Sequence, residues 1–127
     1  MRRIRKMGAE RKRSVLARMI ELLDRPGGWA KGSLHRSTSN GDSYCLLGAA
    51  GQAYKDVYGR DLGDDYDLLG SVCEDLSVVA LIRAKGAPYY ADPSSQVFRY
   101  NDAIGGQKGQ ARVVKLLKEK QAELATS

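Results

Sequence analysis

Cysteine, histidine and large aromatics other than tyrosine are scarce here: two cysteines, one histidine, one tryptophan and one phenylalanine. Two cysteines, Cys45 and Cys73, make no disulfide framework, so a reducing cytoplasm is the expected compartment. A single histidine excludes a histidine cluster. There is no C-x-x-C pair, no phosphate-cradling glycine loop and no Ser-x-x-Lys motif, so no metal and no cofactor is expected. Long apolar runs are missing too. Nothing approaches the ~20 consecutive apolar residues of a membrane span. Val15 to Leu23 is interrupted by Arg18 and Glu21, so neither a membrane partner nor export is expected.

What is present fits one domain over residues 1–127, with 43% apolar and 28% charged residues, ordinary values for a globular chain. The net charge of +6 is not spread evenly. Residues 1–13 hold Arg2, Arg3, Arg5, Lys6, Arg11, Lys12 and Arg13 against Glu10 alone, which leaves the rest of the chain neutral. Residues 1–8 therefore read as a basic N-terminal arm on a neutral body. Such an arm can contact phosphates, with an affinity that falls steeply with salt. A solvated leader is the plainer alternative, and deletion of the arm should then leave the fold intact.

The periodicity predicts a mainly α fold. About four helices surround a central small-residue helix at about 43–57. The first helix spans 9–24, with Leu16, Met19, Ile20 and Leu23 at helical spacing, and ends at Arg25-Pro26-Gly27-Gly28. Residues 33–43 are a polar loop in which Asn40-Gly41 allows a short hairpin. The central helix is capped by Asp42 or Ser43 and carries Gly48, Ala49, Ala50, Gly51 and Ala53, which call for a closely packed neighbouring helix. An acidic loop over 59–70 precedes a capping box, Ser71-Val72-Cys73-Glu74, and a third helix to about Lys85. An irregular aromatic-rich loop or short β-hairpin is expected at about 87–102, and a last helix over 107–124. The Asp61–Asp67 carboxylates lack the pattern of a calcium loop and read as a solvated loop.

Three segments stand out as a candidate site: Trp29-Ala30-Lys31-Gly32, Tyr44-Cys45-Leu46-Leu47-Gly48-Ala49-Ala50 and Arg99-Tyr100-Asn101-Asp102. Cys45 near a helix N-terminus is the candidate nucleophile, with His35 as base and Asp102 (or Asn101) as orienting group. Its apolar neighbours favour the alternative, a packed small hydrophobe. Trp29, Lys31, Tyr100, Asn101 and Asp102 are the candidate binding residues, although Asn and Asp also serve locally as turn and cap residues. In their order and spacing, W-x-x-G (Trp29, Gly32), C-x-L-G-A (Cys45, Leu47, Gly48, Ala49) and aromatic-Asn-Asp resemble a family of small uncharacterised proteins of actinobacteria and their phages. Related sequences often carry tryptophan where this chain has Tyr100. The resemblance spans about 13–124 and implies a shared fold and origin, with no activity to carry over. The expected function is a phage-related accessory protein of the cytoplasm that binds another protein. A Cys45-dependent enzyme and a non-specific nucleic-acid binder acting through the arm are the alternatives.

Overall fold

The computed structural model describes residues 2–126; the first residue of the 1–8 arm and the last of the chain lie outside them. Among the described residues the order is α1 (Ala9–Leu23), β1 (His35–Thr38), β2 (Gly41–Tyr44), α2 (Leu46–Tyr58), α3 (Tyr66–Asp75), α4 (Val78–Ala84), α5 (Pro93–Asp102) and α6 (Gly106–Ala125). Six helices and one hairpin thus replace the four-helix expectation.

Helix α2 packs on α1, α3 and α5, while α6 closes the other side against α1, α4 and α5. Ala49, Ala50 and Ala53 are fully buried. Small residues are needed here because neighbours come close, but the neighbour at Gly48 is not a helix. A Cβ there would sit 1.8 Å from the carbonyl oxygen of Leu34, in the lead-in to the hairpin. A Cβ on Gly51 would meet the Leu69 side chain of α3 at 2.6 Å.

Strands β1 and β2 are antiparallel with His35 opposite Tyr44 and Thr38 opposite Gly41, around a two-residue turn at Ser39-Asn40. Residues 28–30 lie along β2: Ala30 N–H donates to Tyr44 O and Tyr44 N–H to Gly28 O, both at 2.9 Å. This ladder fixes the direction in which Trp29 leaves the chain. It also keeps Asp42 and Ser43 in β2, so the residue that caps α2 is Cys45, whose Sγ accepts from Gly48 N–H at 3.4 Å.

The single helix expected over 71–85 is two. Helix α3 starts earlier, with Asp65 Oδ1 accepting from Leu68 N–H at 3.1 Å as its cap and Asp67 in its first turn, where carboxylates complement the helix dipole. The chain then breaks at Ser77, a non-glycine residue at φ 63°. Ser71 therefore caps nothing; it is buried inside α3 and accepts from Ile4 N–H at 3.0 Å.

The largest difference is at 87–102, where no hairpin forms. Segment 87–92 is irregular and bends at 91–92, and α5 follows, opened by Asp92 as cap and Pro93 in its first turn. Proline suits that position because its missing N–H is one that a helix start leaves unpaired anyway. The buried Gln96 side chain pins the irregular segment, accepting from Tyr90 N–H at 3.0 Å and donating to Pro88 O at 2.8 Å.

Residues 2–8 are strapped onto α3. Ile4 and Met7 are buried in the core, Met7 N–H donates to Asp75 Oδ2 at 2.8 Å, Arg2 pairs with Asp65 and Arg3 with Glu74 at 2.6 Å. The exposed ion pairs contribute little; the two apolar side chains hold the strap. Ile4→Ala combined with Met7→Ala should lower stability by about 2–4 kcal/mol. Arg5→Ala combined with Lys6→Ala should change it by less than about 0.5 kcal/mol. Urea denaturation of the two double variants checks this, and equal midpoints would mark the segment as a free leader after all.

Candidate functional site

The site is assembled by one side chain, Asn101, in the last turn of α5 and 1% exposed. Its Oδ1 accepts from Trp29 Nε1 at 2.7 Å and from Leu46 N–H at 3.0 Å. Its Nδ2 donates to Ala30 O at 3.0 Å and to Asp102 Oδ1 at 2.9 Å. The same Asp102 oxygen accepts from Gly32 N–H at 3.1 Å. The segments at 29–32, 45–46 and 101–102 therefore meet in one bonded cluster. On its far side the Trp29 ring reaches α6 at Gly109, where a Cβ would stand 2.6 Å from Cη2. Asn101 is no local cap or turn residue; its four bonds complete the capacity of a primary amide.

Cys45 opens α2 beside this cluster and is 4% exposed. Burial pushes its thiol above the ordinary cysteine value. The backbone N–H groups of Gly48 and Leu47 pull the other way without cancelling it, and the Asp102 carboxylate adds to the rise. At neutral pH the sulfur is thus a protonated thiol. Cys73, wholly buried in α3, is driven up further for the same reason.

His35 is not brought to Cys45. It lies on the exposed hairpin with Nε2 2.9 Å from Asp42 Oδ1 and its ring stacked on Tyr44 at 4.8 Å. The His35 contact, followed by the Ser37 hydroxyl, holds Asp42 below the usual carboxylate range. The Cys–His–Asp constellation is therefore split, with Cys45 and Asp102 on one recess and His35 on another. Lys31 is exposed, its side chain lying over Gly105.

Two recesses meet at Asp102 and Phe98. The smaller, about 240 Å³, also touches Gly32, Ser33, Cys45 and Tyr66. The larger, about 400 Å³, is walled by Tyr90, Tyr100, Arg99 and Arg112 over Ala87 and Pro88. Around it the arginines stack on aromatic rings: Arg112 on Tyr100 at 3.7 Å, Arg99 on Tyr90 at 4.6 Å and on Phe98 at 5.6 Å, and Arg83 on Tyr89 at 4.5 Å. Arg99 stands in the third candidate segment, but neither it nor Arg83 or Arg112 is among the candidate binding residues. Their signal was the interleaving of Phe98-Arg99-Tyr100 with Tyr89-Tyr90, hidden because the region read as loop.

The basic residues at the N-terminus are divided. Arg2, Arg3 and Lys12 face Asp65, Glu74 and Asp75 of α3 or its cap, and Arg11 covers the Tyr58 ring at 4.5 Å. Arg5, Lys6 and Arg13 are exposed. Among the described residues no group of three or more His, Cys, Asp or Glu gathers to hold a metal ion. No helix among them is long and apolar enough to cross a membrane.

These features define a small, mainly helical protein with one hairpin, in which three distant segments are locked together by a buried asparagine. A family model described as a family of unknown function (DUF6197) matches residues 7–122, and the chain belongs to that family. No curated protein and no solved structure matches the chain.

Asn101→Ala would strand Trp29 Nε1–H, Leu46 N–H and Ala30 O, and should cost about 3 kcal/mol or more by denaturant unfolding. Asn101→Asp keeps the acceptors but sets a carboxylate against Ala30 O and Asp102. Its deficit relative to the parent should shrink as the pH falls and the new acid is protonated, which paired unfolding curves at several pH values would read.

Both thiols should resist iodoacetamide at neutral pH until denaturant is added, because alkylation follows thiolate fraction and access. Rapid labelling of Cys45 alone in the native protein, scored by mass spectrometry, would contradict the burial argument.

Proposed function

We propose that this chain is a phage-related accessory protein of the cytoplasm that acts by binding another protein. The docking face is built from α5 and the irregular segment 87–92. One observation carries the reading: a cluster of arginines stacked on aromatic rings, with no carboxylate within ion-pair distance among the described residues, around an open recess. Tyr89 beside it is 69% exposed. Tyrosine and arginine are the side chains that carry most binding energy at protein interfaces, since they offer large, stiff contact area together with hydrogen bonds.

The alternatives have less support. A Cys45 enzyme would need a thiolate, and the thiol is buried and shifted toward its neutral form, with His35 engaged by Asp42. A nucleic-acid-binding arm would act through Arg5, Lys6 and Arg13 alone, since Arg2, Arg3 and Lys12 already face carboxylates of the same chain and Arg11 lies over Tyr58.

Immobilised protein should retain a partner from an extract of the cells that encode it. Tyr89→Ala combined with Arg99→Ala should weaken retention by roughly tenfold or more, while Arg5→Ala combined with Lys6→Ala leaves it unchanged. The opposite pattern would move the contact to the N-terminal segment. Loss of the captured species after nuclease treatment would favour nucleic acid.

A further inference from the structure

We infer that the recess beside Arg99 and Arg112 receives an acidic side chain, with an adjacent apolar one, from a segment of the partner protein; this rests on the protein-binding reading above.

The charge distribution is the first reason. Some basic side chains find carboxylates: Arg18 pairs with Asp56 at 2.8 Å, Lys85 with Glu119 at 2.8 Å and Lys118 with Asp24 at 2.9 Å. Arg13, Lys108 and Lys115, like Arg99 and Arg112, pair with none among the described residues, but Arg99 and Arg112 stand together at the wall of one recess. Arg99 is exposed, and its described contacts are the Tyr90 and Phe98 rings, with no hydrogen bond. Arg112 spends one N–H on Tyr100 O at 3.1 Å, and its guanidinium carbon stands 3.7 Å from the centre of the Tyr100 ring. A guanidinium stacked on a ring keeps its edge N–H groups free and in a fixed plane. That arrangement suits a bidentate carboxylate and lowers the entropy lost on binding.

The second reason is the recess itself. Its volume, about 400 Å³, lies in the range of small-group binding sites. Ala87, Pro88 and Phe98 line it without offering side-chain hydrogen bonds, so an apolar side chain gains there by leaving water. The buried Gln96 holds this lining in place by bonding Pro88 O, Tyr90 N–H and Arg83 Nε, the last at 3.0 Å. The cleft is therefore preorganised.

A single-stranded nucleic acid fits the same surface less well. Base binding uses open aromatic faces, and here the Tyr90 and Tyr100 rings are each covered on one face by an arginine. Asp102 also lines the recess and penalises a ligand charged at every unit more than one bearing a single carboxylate.

The test uses the full-length ¹⁵N-labelled protein and three probes. One is the blocked peptide acetyl-Gln-Leu-Phe-Glu-amide, the second its isosteric all-glutamine counterpart, and the third a short oligothymidylate. The glutamate peptide should shift the Nε–H signals of Arg99 and Arg112 and the amides of residues 87–103. The glutamine peptide should bind at least roughly tenfold more weakly, because the charge-assisted bonds are gone. Arg99→Gln should remove that preference while leaving the remaining spectrum unchanged, since Arg99 makes no hydrogen bond within the fold. Equal binding of the two peptides, absence of shifts in this region, or tighter binding of oligothymidylate would overturn the inference. If the glutamine peptide equals the glutamate peptide while partner retention still depends on Arg99, the acidic partner is wrong and the protein-binding reading stands. If the glutamate peptide docks on Arg99 but retention ignores this face, the recess stands and the broader reading falls.

Discussion

The amide of Asn101 is the point on which the rest of the molecule depends. A helix start leaves its first backbone N–H groups without partners. In α2 two of them are satisfied by side chains: Gly48 N–H by the Cys45 sulfur and Leu46 N–H by Asn101, which arrives from the end of α5. The same amide holds the indole of Trp29 and the carbonyl of Ala30, and so the chain that runs beside β2. One side chain thus sets the spacing of the central helix, the hairpin and α5. Its bonds to Leu46 N–H and Ala30 O are buried and the other two partly so, and in such a place a missing partner is costly and a complete set is strongly specifying.

That arrangement also decides the chemistry of Cys45. Position alone, at a helix N-terminus, favours a thiolate. Burial opposes it, and the Asp102 carboxylate held nearby by Asn101 and Gly32 opposes it further. The balance falls on the neutral thiol, so Cys45 serves as a packed cap. The polar atoms around it are spent on tying the chain together, which leaves the outer edge of the cluster, where Tyr100 and Asp102 face the larger recess, as the part open to a ligand.

Charge is handled differently on different faces. The basic N-terminal segment, which dominates the net charge, lies on α3 and directs Arg2, Arg3 and Lys12 at carboxylates there. The face made by α5, α6 and segment 87–92 places its arginines on rings instead. Net charge located in sequence therefore pointed to one end of the chain, while the arginines that stand over aromatic rings beside a recess lie at another.

Helices α1 and α6 were legible because their apolar residues repeat at helical spacing on one face, and the hairpin because Asn40-Gly41 carries its own turn chemistry. These are local signals, and local physics determined the outcome. Helix α5 was missed although Asp92-Pro93 is a helix-start pair, since two prolines and clustered aromatics within twenty residues read as loop. The break at Ser77 and the cap at Asp65 were missed because Ser71-x-x-Glu74 satisfied a local rule that tertiary packing overrode, placing Ser71 under Ile4. The sequence by itself determined the helical class, the hairpin turn and which three segments mattered. Only the tertiary structure decided what they do: whether a polar side chain caps its own helix or bonds another element depends on which partners packing brings within hydrogen-bond reach, and for Asn101 three of the four lie 55 to 72 residues away.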